Sequence, residues 1–287
     1  MPPRSTVTEL TFEGTSRTVQ TDGWKIHYNE AGEGHPLLLL HGSGAGASGW
    51  GNFRQNIGAL AENFHVYAID QPGWGGSEAV TWDRLDHVEA HIQFMDALGI
   101  EKAAVVGNSM GGITALGMVT KYPDRVSHVI TMGSGSSRAP KLFSPGDGPT
   151  EGLKILFKCY REPTIESMTQ LCDVMMFNAG DNIDALAKER YESANKHPEH
   201  LANLLAGMPH GSPVPKWFSM DDLLTCQTPT LLIHGRDDRV VPYEHSLILL
   251  SYIPNSRLVL LNRCGHWAMI EHPAEFNRLV IDFVENN

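Results

Sequence analysis

The sequence has few cysteines, a shortage of basic residues and no long apolar segment, and each shortage excludes a class of protein. Its four cysteines form no Cys-x-x-Cys pair, so neither a zinc site nor a disulfide framework is expected. The 22 basic residues against 33 acidic ones give a formal net charge of -11, which argues against a nucleic-acid partner. No run reaches the roughly 18 apolar residues of a membrane span, and residues 1–14 lack the apolar core of a signal peptide. We therefore expect a cytoplasmic protein that binds neither nucleic acid nor membrane.

Short apolar segments alternate with amphipathic segments along most of the chain. Most of them are continuous apolar runs, which are typical of parallel strands covered on both faces. The seven segments occupy residues 24–32, 36–42, 65–70, 102–108, 126–133, 229–235 and 256–262. Between and after them, the spacing of apolar residues predicts helices at 84–100 and 273–286. This alternation predicts an α/β fold with a doubly wound, mostly parallel sheet.

The alternation stops between residues 136 and 216. This stretch opens with a loop rich in serine, glycine and proline, and continues with four helical segments and no clear strand. It predicts a helical cap at 136–216, inserted into a core domain formed by 1–135 and 217–287. The sequence leaves open whether three bulky cap residues pack inside the cap or face a ligand: Met175, Met176 and Phe177.

A serine lies between two glycines directly after one of the predicted strands. Residues 107–111 match the pattern G-x-S-x-G around Ser109, with a strand before and a helical segment after, which is the context of a nucleophile on a sharp turn. The alternative is a helix N-cap, for which serine is also favoured. An N-cap does not explain Gly111 and Gly112, because each glycine disfavours a helix by about 1 kcal/mol. The pattern therefore favours Ser109 as a nucleophile.

A nucleophilic serine needs a base, and the base needs an acid to orient it. In this architecture the acid and then the base follow the serine along the chain, each after a later strand. Asp237 and Asp238 follow the strand at 229–235, and His266 follows the strand at 256–262. The order predicts His266 as the base, while the spacing alone leaves the two aspartates as alternatives for the acid.

Acyl transfer also needs an oxyanion hole, usually built from the N–H after the nucleophile and one from the loop after an early strand. Met110 supplies the first N–H, and Ser43 is expected to supply the second through its main chain. Gly42 and Gly44 flank Ser43 and let a substrate approach the backbone, so both are candidate substrate-binding residues. The alternative, a phosphate-binding loop, is disfavoured because this stretch matches neither G-x-x-x-x-G-K-[ST] nor the full G-x-G-x-x-G signature.

The other histidines give no metal-binding pattern. His87 and His91 could share one helix face, but their pattern is H-V-E-A-H instead of H-E-x-x-H, and no third ligand is apparent. His234 at a strand end and His272 before a proline are expected to be structural. We therefore expect no metal and no other cofactor.

Several segments together resemble the α/β-hydrolase superfamily and, more narrowly, the meta-cleavage product hydrolases, the carbon–carbon bond hydrolases of bacterial aromatic degradation. The likeness extends over nearly the whole chain, more loosely in the cap, and its segments are HGSGAGASGWGNF, DQPGWGGS, GNSMGG, GRDDRVVP and CGHWAMIEHPAEFNRLVIDF. The acid of this family is the aspartate of the pattern G-x-x-D-x-x-x-P. The resemblance therefore implies Asp238 as the acid, with Asp237 as the less favoured neighbour.

The resemblance also implies a substrate and its contacts. The family's substrates are 2-hydroxy-6-oxo-hexa-2,4-dienoates, which are cleaved to a 2-hydroxydienoate and a carboxylic acid, and its members form dimers or larger homo-oligomers. Taken alone, Arg190 would be interpreted as a solvated helix residue, whereas a guanidinium also fits a substrate carboxylate in bidentate fashion. The positions that match the family's substrate contacts are Asn52, Asn108, Arg190 and Trp267.

The predicted function is thus the hydrolysis of a carbon–carbon bond by a Ser/His/Asp triad, with an alkyl or aryl substituent at C6 left open. The first alternative is a carboxylesterase or lactonase with the same triad. The second is a non-catalytic binding protein on a hydrolase scaffold, which the complete triad disfavours. A dehalogenase or epoxide hydrolase is disfavoured because Ser109 stands where those enzymes have an aspartate.

Overall fold

The computed structural model of the protein describes residues 10–135, 148–208 and 217–287. Within these residues one sheet contains the strands β1 (Ser16–Gln20), β2 (Lys25–Ala31), β3 (His35–Leu40), β4 (Phe64–Ile69), β5 (Ala103–Asn108), β6 (Val126–Met132), β7 (Thr230–Gly235) and β8 (Ser256–Leu261). The helices are α1 (Phe12–Thr15), α2 (Gly49–Leu60), α3 (His87–Ala97), α4 (Met110–Lys121), α5 (Glu151–Arg161), α6 (Ile165–Met175), α7 (Ile183–Lys196), α8 (Pro198–Gly207), α9 (Glu244–Tyr252), α10 (Ala268–Glu271) and α11 (Pro273–Glu285). Short 3-10 helices lie at Trp82–Arg84, Pro123–Arg125, Gly180–Asn182 and Met220–Thr225.

The strands lie in the order β1-β2-β4-β3-β5-β6-β7-β8. The pairs β1–β2 and β2–β4 are antiparallel, and every other neighbouring pair is parallel. All six residues of β5 and of β7 are buried, as expected of central parallel strands covered on both faces. The predicted fold class is confirmed, and each of the seven predicted strands is present.

Strand β1 has no counterpart among the strands predicted from the sequence. It pairs antiparallel with β2 at one edge of the sheet, and all of its residues are exposed or half-buried. An edge strand that buries no apolar face contains neither a run of apolar residues nor a regular alternation of apolar and polar residues, and these are the patterns from which strands are predicted. Its existence follows from its pairing with β2.

The four helical segments predicted for the cap correspond to α5, α6, α7 and α8. Helix α6 starts with a capping box, in which the Thr164 side chain accepts the backbone N–H of Ser167 and the Ser167 side chain accepts the backbone N–H of Thr164. The predicted cap boundaries at residues 136 and 216 lie outside the described residues, so the division into cap and core remains a prediction. No helix in the described ranges is long and apolar enough to cross a membrane.

The carboxyl ends of the parallel strands lie side by side at one edge of the sheet. Leu40 in β3 pairs with Gly107 in β5, and Gly235 in β7 pairs with Leu261 in β8. The loops that follow these four strands therefore meet at this edge. Open α/β sheets bind their ligands in the crevice outside the carboxyl ends of their strands.

His87 and His91 are buried side chains on α3. His87 Nε2 lies 2.9 Å from Pro72 O and His91 Nδ1 contacts His87 O, while the other nitrogen of each ring has no partner among the described residues. Burial lowers the pKa of His87 to about 3 and that of His91 to about 4, so both are neutral near pH 7. The described part of the chain contains no group of three or more metal-ligating side chains that could hold an ion.

We predict that these two histidines make the fold less stable as the pH falls. Each has a folded-state pKa below its ordinary value of 6.5, so between pH 6.5 and about 4 the unfolded chain binds protons that the folded chain does not. Their stabilising contribution is complete above pH 6.5 and is lost on acidification. Between pH 7 and pH 5, each histidine should lower the free energy of unfolding by about 2 kcal/mol, as measured by urea unfolding.

The variant His91→Gln should show a loss between pH 7 and pH 5 that is smaller than that of the wild type by about 2 kcal/mol. Val88→Ala is the matched control, because Val88 is fully buried on the same helix and does not titrate. It should lower stability equally at both pH values. An identical pH dependence in His91→Gln and wild type would contradict the prediction.

Candidate active site

The turn between β5 and α4 carries Ser109 in a strained backbone conformation. Its φ of 53° and ψ of −113° lie in a region that residues with a side chain rarely adopt. A Cβ at position 107 would lie 2.2 Å from Gly111 C, and a Cβ at position 111 would lie 2.2 Å from Leu40 O, so both positions require glycine. Ser109 occupies the N-cap position of α4, but its side chain makes no capping hydrogen bond. The N-cap alternative therefore does not account for this serine.

His266 and Asp238 form a hydrogen-bonded pair in the loops after β8 and β7. His266 Nδ1 lies 2.7 Å from Asp238 Oδ2, and Asp238 Oδ1 accepts the backbone N–H groups of Val240 and Val241 at 2.7 Å and 2.9 Å. The side chains of both members of the pair are buried. A carboxylate in this position holds the imidazole in one orientation with its proton on Nδ1, which leaves Nε2 to accept a proton.

The charge of Asp238 is maintained in spite of its burial. Burial by itself raises the pKa of Asp238, but the charge of His266 and the hydrogen bonds from His234 and His266 outweigh it, so the pKa lies well below 3.8. His234 Nε2 lies 2.8 Å from Val241 O and 3.3 Å from Asp238 Oδ2, and its Nδ1 lies 2.7 Å from Ser246 Oγ. His234 is therefore a packed core residue that also supports the acid, a contact that no sequence pattern indicates.

Asp237, the alternative acid, lies at the surface. Its Oδ2 lies 3.4 Å from Arg236 Nη2, and its side chain is 29% exposed. The Asp237 carboxylate makes no hydrogen bond to His266. The geometry favours Asp238, the aspartate that the resemblance implied.

The loop after β3 brings Ser43 next to the turn that carries Ser109. A Cβ added at Gly42 in this loop would lie 3.3 Å from Ser109 Cβ. His41 Nδ1 lies 2.7 Å from Gly42 O, while its Nε2 accepts a backbone N–H at 3.0 Å, so the ring proton is donated to the Gly42 carbonyl. Since the C=O and N–H of a trans peptide point in opposite directions, the Ser43 N–H points away from His41. Within the described residues, neither this N–H nor that of Met110 donates to a protein acceptor. Both remain available to an oxyanion.

A cavity of about 270 Å³ opens over the carboxyl edge of the sheet, and both Ser109 and His266 line it. Ser109 Oγ makes no hydrogen bond to His266 in the described structure. Hydrogen bonds between a catalytic nucleophile and its base are often long without substrate and shorten in the Michaelis complex, so this geometry is compatible with His266 acting as the base of Ser109. The cavity is also lined by every residue predicted as an oxyanion donor or substrate contact: Gly42, Ser43, Gly44, Asn52, Asn108, Met110, Arg190 and Trp267.

Arg190 places a buried cation in this cavity. It is 6% exposed, its guanidinium lies 4.2 Å from the centroid of the Trp267 ring, and its Nη2 donates to Asn52 Oδ1 at 3.1 Å. Burial lowers its pKa, but a guanidinium remains charged at any physiological pH. In the described ranges it has no carboxylate partner, since its neighbour Glu189 pairs with Arg54 instead. A buried charge without a partner is costly, so the site is suited to an anionic ligand.

Asn108 connects the turn that carries Ser109 to the loop that carries His266. Its Nδ2 donates to Met132 O and to His266 O, both at 3.2 Å, and its Oδ1 accepts from Asn52 Nδ2 at 3.4 Å. Both amide hydrogens are used within the protein, although the side chain lines the cavity. The structure therefore shows Asn108 holding two loops together, in addition to its predicted place next to the substrate.

The rest of the cavity lining is largely apolar. Of the three cap residues left open by the sequence, Met175 lines the cavity, whereas Met176 is buried outside it and Phe177 is 42% exposed, 5.5 Å from the Arg263 guanidinium. Helix α5 contributes further apolar residues, and so does the loop after β7. Besides Met110 and Trp267, the large apolar residues of the lining are Ile113, Leu153, Leu156, Phe157, Met175, Val240 and Val241.

Together these groups have the parts of a serine hydrolase. They are a serine on a strained turn, an imidazole oriented by an ionised carboxylate, and two N–H groups that have no acceptor among the described residues. Such an arrangement supports nucleophilic attack on a carbonyl carbon and stabilises the oxyanion that results.

Comparison with known proteins identifies the family. Residues 37–279 match the model of the Alpha/beta hydrolase family. A 2-hydroxy-6-oxo-6-phenylhexa-2,4-dienoate hydrolase of Burkholderia cepacia is 42% identical over 98% of this chain and 100% of that protein. A 2-hydroxy-6-oxononadienedioate/2-hydroxy-6-oxononatrienedioate hydrolase of Comamonas testosteroni is 39% identical over the same shares. The solved meta-cleavage product hydrolase of Pseudomonas fluorescens IP01 has a TM-score of 0.83 and 34% identity, covering 94% of this chain and 97% of that one.

The chain therefore belongs to the α/β-hydrolase family and, within it, to the meta-cleavage product hydrolases. The predicted fold, family and class of enzyme, a hydrolase of carbon–carbon bonds, are confirmed. The roles of the individual site residues remain predictions, which the geometry makes specific enough to test.

Replacing the two adjacent aspartates one at a time tests which of them orients His266. Asp238→Asn removes the negative charge and favours the wrong tautomer of the imidazole, so turnover should fall by roughly 10^4-fold. Asp237→Asn is the matched control and should retain most of the wild-type rate, because Asp237 does not contact His266. Steady-state kinetics with one chromogenic substrate measure both variants. A larger loss in Asp237→Asn than in Asp238→Asn would reverse the assignment.

Proposed function

We propose that this protein hydrolyses the bond between C5 and C6 of a 2-hydroxy-6-oxo-hexa-2,4-dienoate, releasing a 2-hydroxydienoate and a carboxylic acid. The observation that carries the proposal is Arg190, a buried cation without a carboxylate partner in the described residues, in the same cavity as Ser109 and His266. A dienoate supplies both missing parts, a carboxylate for the guanidinium and a ketone for the serine. The relatives named above act on substrates of this class.

Binding of the substrate carboxylate by Arg190 is the first step of the proposed mechanism. The planar guanidinium offers two parallel N–H donors to a carboxylate, and its contacts with Asn52 and the Trp267 ring hold it in place. The bound dienol is then converted to its keto tautomer, in which the proton of the C2 hydroxyl has moved to C5. In that form, the fragment that leaves from C5 can delocalise the electron pair of the broken bond.

Nucleophilic attack by Ser109 is the second step. His266 Nε2 takes the proton of Ser109 while Oγ bonds to C6, and the N–H groups of Ser43 and Met110 stabilise the oxyanion. When the C5–C6 bond breaks, its electron pair is delocalised from C5 to the C2 oxygen of the leaving fragment. That oxygen takes the proton held by His266, which gives the 2-hydroxydienoate. Water, deprotonated by His266, then hydrolyses the acyl-enzyme and restores Ser109. No cofactor takes part.

The apolar lining favours an uncharged alkyl or aryl substituent at C6. Helix α5 supplies Leu153, Leu156 and Phe157 to the cavity, and Met175 follows from the end of α6. Arg190 is the single arginine or lysine among the described lining residues, and the substrate's own carboxylate would use it. A second carboxylate at the C6 end would be buried without a partner there, at a cost of several kcal/mol.

The cytoplasmic location and the homo-oligomeric state remain predictions.

A panel of substrates tests the proposed function. The wild type should remove the visible colour of C6-phenyl and C6-methyl dienoates and release benzoate or acetate, with slower turnover of a dienoate that carries a carboxyethyl group at C6. Ser109→Ala should lower these rates by roughly 10^4-fold or more. Hydrolysis of p-nitrophenyl esters without loss of dienoate colour would instead establish a carboxylesterase or lactonase. Faster turnover of the carboxyethyl substrate would contradict the uncharged substituent.

The variant Arg190→Gln tests the recognition of the carboxylate. Removal of the cation from a buried charged hydrogen bond should raise KM for a dienoate by about 100-fold. The effect on p-nitrophenyl acetate, which has no carboxylate, should be far smaller. Lys188→Gln, an exposed position on the same helix, removes the same charge and serves as the control. Equal effects of Arg190→Gln on the two substrates would show that Arg190 has a structural role only.

A further inference from the structure

Tyr160, on cap helix α5, contacts the oxyanion loop of the core. Its hydroxyl lies 2.9 Å from Ser43 O and 3.0 Å from Ser43 Oγ, and the side chain is 1% exposed. Burial raises the pKa of Tyr160 well above its ordinary value of 10, so the phenol keeps its proton at any working pH. A phenol donates one hydrogen bond and also accepts. Tyr160 therefore donates to the Ser43 carbonyl and accepts from the Ser43 hydroxyl.

The peptide groups on both sides of Ser43 are thereby fixed. The carbonyl before it, that of Gly42, accepts from the His41 ring at 2.7 Å. The carbonyl after it, that of Ser43 itself, accepts from Tyr160 and, at 3.4 Å, from Trp74 Nε1. With both peptide planes held, the Ser43 N–H keeps one direction. Loss of the Tyr160 hydroxyl would leave the second plane with only the longer bond from Trp74.

We propose that Tyr160 is a positioning residue for the oxyanion hole, acting through Ser43 without touching the substrate. It is absent from the residues that line the cavity, whereas Ser43 is among them. The inference rests on the proposed function, because it takes the Ser43 N–H to be one of the two oxyanion donors. Its effect should appear where charge develops on the substrate oxygen and not in the binding of the ground state.

Helix α5 connects this contact to the apolar part of the cavity. Leu153, Leu156, Phe157 and Tyr160 lie at positions i, i+3, i+4 and i+7, so they share one face of the helix. The first three line the cavity, and the fourth holds Ser43. The face that contacts the acyl substituent and the group that aims the oxyanion donor therefore belong to one rigid element.

Removal of one hydroxyl tests the inference. Tyr160→Phe keeps the buried ring, and kcat should fall by about 10- to 100-fold with KM little changed, because a misdirected donor recovers only part of the roughly 10^2- to 10^3-fold that one oxyanion donor contributes. Tyr67→Phe is the matched control. Tyr67 is also buried, and its hydroxyl bonds to His65 Nδ1 at 3.1 Å, away from the cavity. It should keep the wild-type kcat.

Two binding measurements separate positioning from a structural effect. The affinity for a trifluoromethyl ketone, whose adduct carries an oxyanion, should fall in Tyr160→Phe by the same factor as kcat, as measured by calorimetry. The affinity of Ser109→Ala for a dienoate should not change when Tyr160→Phe is added. An unchanged ketone affinity, an equal loss of dienoate affinity, or an equal kcat loss in Tyr67→Phe would each overturn the inference.

Failure of the proposed function gives a different pattern. If the wild type hydrolyses p-nitrophenyl esters and no dienoate, the substrate assignment is wrong, but the oxyanion hole still serves the ester. Tyr160→Phe should then lower ester turnover and ketone affinity together. A Tyr160→Phe enzyme as active as wild type on every substrate that the wild type accepts would overturn the role of Tyr160 alone.

Discussion

The site depends on how closely the turn after β5 approaches its neighbours. A Cβ at position 107 or 111 would lie 2.2 Å from a backbone atom, so β5 passes into α4 with no space for a side chain on either flank of Ser109. The serine is held at φ 53°, a conformation that costs on the order of 1–3 kcal/mol and persists only where the surrounding packing requires it. The same turn starts α4, whose first N–H, that of Met110, has no protein acceptor among the described residues. His266 and Ser43 line the same cavity as the serine that this turn carries.

A serine, a histidine and an aspartate joined by hydrogen bonds also occur elsewhere in the fold, away from the cavity. Ser16 Oγ lies 2.8 Å from His27 Nε2, and His27 Nδ1 lies 2.7 Å from Asp70 Oδ2. Ser16, however, has an ordinary extended backbone, and the His27 ring lies under the ring of Phe12 with centroids 5.5 Å apart. Asp70 also accepts two backbone N–H groups, so this arrangement fastens β2 to the neighbouring loops. The strained turn and the cavity distinguish the predicted catalytic arrangement around Ser109 from this one.

Three of the helices predicted to form the cap, α5, α6 and α7, supply residues or contacts to the candidate site. Arg190 comes from α7, and Met175 at the end of α6 accepts the backbone N–H of His266 at 2.7 Å. Tyr160 on α5 holds the carbonyl of Ser43. His266, Ser43 and Arg190, the predicted base, oxyanion donor and carboxylate-binding residue, are therefore each connected to a different one of these helices. A change in the packing of these helices would move groups of the candidate site as well as the lining of the cavity.

The sequence by itself determined the α/β class, seven of the strands and the four helical segments that correspond to α5, α6, α7 and α8, because apolar period is a property of short segments. From position after a strand it also predicts the order of nucleophile, acid and base. It missed β1, whose edge position leaves no apolar pattern. Spacing alone left Asp237 and Asp238 as alternatives, and the tertiary structure shows that Asp238, the one implied by the resemblance, contacts His266. Only the tertiary structure decided whether Arg190 is solvated or buried without an acid partner among the described residues. The contact between Tyr160 and Ser43 joins residues 117 positions apart. Such partners are selected by long-range packing, for which no local pattern exists.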